Sequence, residues 1–176
     1  MKAPVTERFV WRAFDALVVR ELYALLRLRS DVFVVEQNCV FADIDGKDYR
    51  ALHLLAWTRR GSGEELGGYL RVFLPERAGD AARIGRVVVA PACRSTGLGR
   101  RLMAAALDQI ALQCGDIAVD LSAQAHLERF YGSFGFARVS DDYLEDDILH
   151  CDMRREAPLP AGSGIRLRPG SVGSAP

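Results

Sequence analysis

Residues 86–102 read RVVVAPACRSTGLGRRL, a sequence that changes from a strand pattern to a helix pattern within a few residues. The run of valines predicts a buried strand, and Pro91 ends it. Gly97 and Gly99 then open a segment with apolar residues at helical spacing. These residues are Leu98, Leu102, Ala106 and Ile110. A helix start has exposed N–H groups, and glycine lets a bulky anion come close, so the stretch predicts a phosphate-binding turn.

The glycines of this turn also allow a simpler interpretation, in which they only break the chain before a helix. The Walker loop is excluded, because GxxxxGK followed by Ser or Thr is missing. The dinucleotide fingerprint fails because Leu102 stands where its third glycine belongs. These absences disfavour a nucleotide-binding domain of another kind, while Arg94, Arg100 and Arg101 add positive charge to the turn.

Length and composition limit the class of protein. The chain has 176 residues, enough for one well-buried α/β domain. Its 23 basic and 23 acidic residues disfavour a nucleic-acid partner, and the lack of about 18 consecutive apolar residues disfavours a membrane span. The cysteines have neither zinc-site spacing nor disulfide density; they are Cys39, Cys93, Cys114 and Cys151. We expect a cytoplasmic protein without a metal.

Apolar periodicity predicts a mixed sheet flanked by helices. Strands are predicted at residues 9–14, 52–58, 66–74, 83–90, 117–122, 136–139 and 148–153. Helices are predicted from about residue 16 to residue 33, at 97–113 and at 125–134. Residues 36–50 lack a period and predict a loop of the kind that often lines a site. Residues 157–176, rich in Pro, Gly and Ser, predict a flexible tail after one domain at residues 1–156.

The glycine turn resembles the acyl-CoA signature of the GNAT superfamily of N-acetyltransferases, Arg/Gln-x-x-Gly-x-Gly/Ala. The matching residues are Arg94, Ser95, Thr96, Gly97, Leu98 and Gly99. The resemblance implies that backbone N–H groups from about Ser95 to Arg100 hold the pyrophosphate of acetyl-CoA. It also implies that Val87, Val88 and Val89 bond the pantetheine arm as an added strand would.

A second motif lies at residues 123–136, AQAHLERFYGSFGF, and resembles the second GNAT motif. The resemblance implies that Tyr131 is a general acid that protonates the departing thiolate. Gln124 stands seven residues before it, where many relatives have a coenzyme-binding asparagine, and its longer amide can still donate and accept hydrogen bonds. The alternative is that these aromatic residues are simply the core of a short amphipathic helix.

A closer resemblance, to the ElaA-type subgroup of GNAT proteins, covers nearly the whole folded chain. It includes residues 22–48, LYALLRLRSDVFVVEQNCVFADIDGKD, together with the two motifs. It implies the GNAT fold, a mixed and mostly antiparallel sheet of about six or seven strands flanked by helices and splayed at the strand ending near Ala90. This closer resemblance does not indicate which substrate the protein uses.

The implied reaction needs a base, because an amine attacks a thioester only when it is unprotonated. Relatives often carry a glutamate on the strand before the signature, whereas this strand offers only arginines. Glu36, His126 and His150 are candidate bases, each with an alternative structural role as a loop brace or a hydrogen-bonded histidine. An ordered water is a further route for the proton. The resemblance also implies that the backbone N–H of Val89 stabilises the oxyanion that forms during the reaction.

The acceptor side of the site is less defined by sequence. Three arginines, Arg29, Arg71 and Arg86, either bind a substrate carboxylate or pair with acids such as Asp43 and Asp45, and we expect the ion pairs. The acidic run at residues 141–147 either attracts a cationic amine or forms a solvated turn, which we expect.

The function predicted from these features is acetyl transfer from acetyl-CoA to a primary amine of a small molecule or peptide. The alternative is a coenzyme A-binding sensor or partner protein without catalysis. A homodimer is the further partner that we consider.

Overall fold

A mixed sheet of eight strands forms the centre of the structure, a computed structural model that describes residues 6–60 and 63–157. Its strands are β1 (Thr6–Ala13), β2 (Leu52–Arg60), β3 (Gly63–Phe73), β4 (Ala82–Val89), β5 (Val119–Gln124), β6 (Ala137–Arg138), β7 (Tyr143–Glu145) and β8 (Ile148–Arg155). Their order in space is β1-β2-β3-β4-β5-β8-β6, with β7 paired to β8. Every pairing is antiparallel except that of β4 with β5.

The predicted mixed and mostly antiparallel sheet is thus confirmed, but the predicted number of strands was too low. The missed strand is Tyr143–Glu145, which lies inside the acidic run interpreted as a solvated turn. It forms a hairpin with Ile148–Arg155. Its three residues are too few to show an alternating pattern, and polar neighbours surround them. Beyond residue 157, the tail predicted at residues 157–176 lies outside the described residues.

Within the described residues, three α-helices cover the sheet: α1 (Val19–Arg29), α2 (Leu98–Cys114) and α3 (Glu128–Gly132). Helix α1 begins later than predicted, because Phe14–Ala16 forms a separate 3₁₀ turn. The carboxylate of Glu21 accepts a hydrogen bond from the Val18 N–H (3.2 Å) at the new start. The predicted helix at residues 125–134 is a 3₁₀ turn, Ala125–Leu127, followed by the short α3.

A π-helix, Ser30–Glu36, continues α1 into the region predicted to be a loop. Its wider turn is seen at Gln37, whose N–H donates to the carbonyl of Val32 five residues earlier (3.2 Å). Such turns are rare and are often found at functional sites. At the end of the π-helix, Glu36 contacts Arg94, and the next residue, Gln37, contacts Gln124.

Apolar residues bury both faces of the sheet. Leu102 and Met103 of α2 pack with Leu70 on one face, and Leu25 of α1 packs with Leu55 on the other. Each of these side chains is fully buried. Since burying one such side chain stabilises by about 1.5–3 kcal/mol, the two clusters hold the helices to the sheet. No helix within residues 6–60 and 63–157 is long and apolar enough to cross a membrane.

A bulge interrupts β4. The pairing of β3 with β4 passes from Tyr69 opposite Val88 to Arg71 opposite Gly85, so one residue of β3 faces two residues of β4. Arg86 lies in this bulge with a positive φ of +53°. The extra residue shifts the alternation of side chains by one, so that Val88 packs toward α1.

Strands β4 and β5 separate soon after they meet. Their ladder consists of Ala82 opposite Val119 and Arg83 opposite Asp120, and the strands diverge beyond it. The remainder of β4 therefore presents an edge without a strand beside it. This is the splay predicted for the strand ending near Ala90.

A buried cluster of charges fastens residues 37–48 to the sheet. Arg29 is fully buried, and its guanidinium donates to the carboxylates of Asp43 (2.9 Å) and Asp48 (2.9 and 3.0 Å). Arg71, on β3, donates to Asp45 (2.6 and 2.9 Å) and to Asp48 (2.7 Å). Three aspartates from one segment thus meet arginines from α1 and from the sheet.

Arg86 completes this cluster by donating to the Asp43 carboxylate at 2.8 Å. The ion-pair interpretation of the three arginines is therefore the one that the structure shows. Hydrogen bonds from Arg71 hold the pKa of Asp45 well below its usual range. Burial alone would raise the pKa of Asp48, but the hydrogen bonds and charges of Arg71 and Arg29 outweigh it and lower that pKa.

Replacing Arg29 by methionine should leave the Asp43 and Asp48 carboxylates buried beside an apolar side chain. We expect the free energy of unfolding to fall by about 3–5 kcal/mol, the loss typical of a buried ion pair that has lost one partner. Urea denaturation followed by circular dichroism measures this change.

Arg8→Met is the matched control, because Arg8 forms a salt bridge with Glu64 on the surface, where the two side chains are 53% and 37% exposed. Exposed ion pairs contribute little to stability. A loss for Arg29→Met no larger than that for Arg8→Met would show that the buried cluster does not hold the fold together.

Candidate active site

The gap between β4 and β5 opens into a cavity of about 1000 Å³. One half of the cavity is formed by the free edge of β4, the turn before α2, and α3. The other half is formed by the π-helix, the residues after it, and the hairpin of β7 and β8. Among the residues that the structure describes, no group of three or more His, Cys, Asp or Glu side chains could hold a metal ion.

The free edge of β4 offers backbone groups to a ligand. The N–H of Ala90 donates to the Gly67 carbonyl on β3 (2.9 Å). Because successive backbone groups of a strand point in opposite directions, the N–H of Val89 points away from β3 and into the gap. Val87, Val88 and Val89, the residues expected from the resemblance to bond the pantetheine arm, all line the cavity.

The turn before α2 has the geometry of an anion site. Gly97 precedes the helix with φ +80°, and Ser95 has φ +60°. The N–H groups of Arg100 and Arg101 both donate to the Gly97 carbonyl (3.1 and 3.2 Å). The helix itself provides no acceptor for the first N–H groups, those of Leu98 and Gly99. These two N–H groups point out of the helix at the cavity that both residues line.

Gly99 keeps the passage between the turn and α3 open. A Cβ atom there would lie 3.6 Å from Val89 and 3.7 Å from Phe130, at ordinary contact distance. Any larger side chain would extend into the cavity. Thr96, the remaining residue of the signature, braces the turn by donating from its hydroxyl to the Cys93 carbonyl (2.7 Å).

The three arginines of the turn differ in their partners. The two terminal nitrogens of Arg94 lie 2.8 and 2.9 Å from the carboxylate oxygens of Glu36. Arg101 donates two hydrogen bonds to the Glu7 carboxylate (2.6 and 2.8 Å). Arg100 donates to the Ser133 hydroxyl (2.9 Å) and has no carboxylate partner within residues 6–60 and 63–157. Arg100 is therefore the cation of the turn that keeps its charge free for a phosphate.

Tyr131, on α3, is both a core aromatic residue and a cavity residue. Its ring packs edge-on against Phe130 (5.1 Å between centroids) and Phe136 (6.3 Å), and the side chain is buried. Its hydroxyl makes no hydrogen bond to any group in the described ranges, although it belongs to the cavity wall. Burial raises the pKa of Tyr131 to about 12, so the phenol stays protonated at neutral pH.

Two side-chain contacts join the end of the π-helix to the two sides of the gap. Glu36 pairs with Arg94, in the turn after β4, at 2.8 and 2.9 Å. Gln37 accepts a hydrogen bond from the Gln124 amide, at the end of β5 (3.2 Å). The amide of Gln124 thus has a protein partner in addition to its predicted place near the coenzyme. Sequence reasoning missed Gln37, whose only signal was a polar side chain after a run of apolar residues.

The three candidate bases have different surroundings, although all line the cavity. Glu36 is engaged by the guanidinium of Arg94. His126 lies exposed on the 3₁₀ turn Ala125–Leu127, and no contact within the described part of the chain orients its ring. His150, on β8, has its Nδ1 2.8 Å from the Ile148 carbonyl. Only His150 therefore has an oriented ring that no charged partner occupies.

The acceptor half of the cavity combines aromatic and acidic walls. Phe33, Phe41 and Phe73 line it, and so do Glu145 and Asp146 of the hairpin. The predicted solvated turn is thus partly a wall of the cavity. The Cys39 thiol donates to the Asp146 carbonyl (3.0 Å) and ties the hairpin to the segment after the π-helix. Nothing in the sequence pattern of Cys39 indicated this contact.

Comparison with known proteins agrees with this geometry. Residues 52–157 match the family described as acetyltransferase (GNAT) domain. Protein ElaA of Escherichia coli (strain K12) is 44% identical over 142 residues, which cover 80% of this chain and 90% of ElaA. The crystal structure of E. coli ElaA has a TM-score of 0.78 at 40% identity and covers 86% of this chain and 100% of its own.

Two further solved structures are similar. An acyl-CoA N-acyltransferase from Pseudomonas aeruginosa is 45% identical, with a TM-score of 0.78 over 85% of this chain and 99% of its own. An aminoglycoside 6'-N-acetyltransferase, solved in complex with coenzyme A, shares the fold with a TM-score of 0.62 at 15% identity over 86% of this chain and 99% of its own. The family match covers more than half of the chain, and the chain therefore belongs to the GNAT acetyltransferase family, within its ElaA-type subgroup.

Proposed function

We propose that the protein transfers the acetyl group of acetyl-CoA to a primary amine of a small molecule or peptide, by direct attack of the amine on the thioester. The observation that carries this proposal is the meeting of three features in one cavity. These are the unpaired edge of β4, the N–H groups at the start of α2, and the protonated hydroxyl of Tyr131. Each corresponds to one part of acetyl-CoA or its reaction.

The coenzyme A moiety fits the groups present. The N–H groups of Leu98 and Gly99, together with the free guanidinium of Arg100, suit a pyrophosphate. The open edge of β4 suits the pantetheine arm, whose amide groups can pair as a strand does. Gln124 lies at the end of β5, on the other side of the same gap. Of these positions, Gly99 matters most for access, because its missing side chain leaves the passage open.

Two groups would stabilise charge during the transfer. The N–H of Val89 points into the gap and can donate to the oxygen of the attacked carbonyl, which becomes negative. The Tyr131 hydroxyl can donate to the departing sulfur. With its pKa raised to about 12, the phenol is a weaker acid than an ordinary thiol near 8.5. Tyr131 therefore acts by sharing its proton in a hydrogen bond, and the proton that finally neutralises the thiolate comes from the amine.

The cysteines support the expected location in the cytoplasm. No disulfide joins any two cysteines of the described residues, and Cys39, Cys93 and Cys151 are buried. Reduced, buried thiols are typical of proteins from a reducing compartment.

Titration calorimetry with acetyl-CoA, followed by thiol release with spermidine, L-lysine and a peptide with a free N-terminus, tests the proposal. We expect micromolar binding and acetylation of at least one amine, because the cavity combines a coenzyme half with an acceptor half. Binding without thiol release would instead support a coenzyme A-binding sensor or partner protein. An absence of binding would contradict both functions.

Tyr131→Phe removes the hydroxyl and keeps the ring that packs against Phe130 and Phe136. We expect kcat to fall by about 10- to 100-fold, which is no more than the lower limit for a group that transfers a proton, because Tyr131 only shares its proton in a hydrogen bond. The Kd for acetyl-CoA should change by less than about twofold. Tyr23→Phe makes the same chemical change at an exposed position on α1 and should leave kcat unaltered. Equal kcat values for Tyr131→Phe and the unaltered protein would remove Tyr131 from the reaction.

Substitutions of Gly99 test the coenzyme passage. Gly99→Ala adds a Cβ at ordinary contact distance, so we expect normal thermal stability and a loss of affinity below about tenfold. Gly99→Glu places a carboxylate where the pyrophosphate should lie, and like charges brought together cost several kcal/mol. Calorimetry should therefore show acetyl-CoA binding at least about 100-fold weaker. The same affinity for both variants would place the pyrophosphate elsewhere.

A further inference from the structure

Of the three candidate bases, His150 is the one that lies opposite Gln124, a predicted coenzyme-binding residue. In the pairing of β5 with β8, Gln124 stands directly opposite His150. Directly opposite residues of an antiparallel pair have Cβ atoms about 4.5–5.5 Å apart and project from the same face. Since Gln124 borders the gap between β4 and β5, the His150 imidazole lies next to the place where coenzyme and acceptor halves meet.

The hydrogen bond of the imidazole defines which of its nitrogens carries the proton. Nδ1 lies 2.8 Å from the carbonyl oxygen of Ile148. A carbonyl oxygen can only accept, so Nδ1 must be the donor and must carry a hydrogen. In the neutral ring, Nε2 then holds the free lone pair. The hydrogen bond to Ile148 thus prepares Nε2 to accept a proton.

Tyr143 fixes the plane of this imidazole. Its ring stacks on that of His150, with centroids 6.2 Å apart and planes inclined by 25°. The Tyr143 hydroxyl donates to the Asp152 carboxylate (3.0 Å) and makes a hydrogen bond with the Ser122 hydroxyl. Because Ser122 and Asp152 belong to β5 and β8, these bonds fasten β7 to the neighbouring strands and hold the Tyr143 ring in place.

We propose that His150 is the catalytic base of the acetyl transfer and that Tyr143 is a positioning residue that holds its imidazole. The inference rests on the proposed function. Nε2 of His150 takes one proton from the bound ammonium, and the lone pair that this frees bonds to the thioester carbon. The carbon–sulfur bond breaks and its electron pair leaves with the sulfur. The thiolate takes the second proton that the nitrogen loses, and the imidazolium releases the first to solvent. The products are the amide, coenzyme A and a proton.

The charges around His150 favour this role. Glu145 and Asp146 line the same cavity from the hairpin, and Asp152 lies behind Tyr143. Cys39 contacts Asp146 through a neutral thiol–carbonyl hydrogen bond. These carboxylates attract a cationic amine to the cavity before proton transfer. The Arg94 guanidinium, by contrast, is already paired with Glu36.

His150→Asn is the direct test, because its side-chain amide can still donate to the Ile148 carbonyl but has no nitrogen lone pair that accepts a proton. The assay uses whichever amine of spermidine, L-lysine and the peptide the unaltered protein acetylates. We expect kcat/KM at pH 7 to fall about 100-fold or more, and the Kd for acetyl-CoA to stay within about twofold.

The pH dependence of kcat/KM distinguishes the loss of a catalytic base from a general loss of active protein. With a base, kcat/KM should level off above neutral pH, because the enzyme itself removes the proton. In His150→Asn, only amine that is already unprotonated can react, so kcat/KM should keep rising tenfold per pH unit toward the ordinary pKa of an alkyl amine, about 10.4. Leu149→Asn, which places the same side chain on the opposite face of β8, should retain the profile of the unaltered protein.

Tyr143→Phe tests the positioning role. Removing the hydroxyl should lower kcat about three- to tenfold while the profile still levels off above neutral pH. In the double variant with His150→Asn, kcat should be no lower than in His150→Asn alone, because a positioning residue acts only through the group that it positions. Losses that multiply would show that Tyr143 acts independently of His150.

Three outcomes would overturn the inference. If His150→Asn keeps the activity and the levelling profile, His150 is not the base. If Glu36→Gln abolishes the levelling and His150→Asn does not, the carboxylate is the base. If the unaltered protein binds acetyl-CoA but acetylates no amine, the proposed function itself fails, and the inference fails with it.

Discussion

The buried ionic contacts among Arg29, Asp48 and Arg71 are the constraint on which the acceptor side of the molecule depends. Removing charges from water is costly, and their mutual attraction offsets this cost only when every partner is in place. The arginines come from α1 and the sheet, whereas the aspartates come from the segment after the π-helix. The cluster therefore allows essentially one placement of that segment, and the segment carries Cys39 and Phe41 into the cavity wall.

The same cluster is linked to the coenzyme side through Arg86. This residue occupies the bulge of β4 with a left-handed backbone conformation, which costs a non-glycine residue on the order of 1 kcal/mol. Its guanidinium pairs with Asp43, which holds the bulge in this conformation. The bulge shifts the side-chain alternation of β4 before Val88 and Val89, the residues of its open edge. Ionic contacts on one side of the sheet thus help to determine what the other half of the cavity presents.

The sequence could predict the parts of the site that are local in the chain. A strand, a glycine turn and a helix follow one another within residues 86–102, and their geometry depends on contacts between near neighbours. The tie between Cys39 and Asp146 could not be predicted, because it joins residues far apart in sequence. The strand that contains Tyr143 was hidden for another reason: its three residues are held by pairing with β8 and not by an apolar pattern of their own.

The two groups proposed to handle protons lie in opposite surroundings, and this contrast is what the reaction requires. Tyr131 is packed among aromatic rings, so burial keeps its phenol neutral and able to donate. His150 lies on the polar face that carries Ser122, Gln124 and Asp152, and its Nε2 keeps a lone pair that can accept a proton. A group that must donate to a thiolate benefits from dry surroundings, and one that must accept from an ammonium benefits from polar ones. The two faces of the splayed sheet supply these surroundings separately.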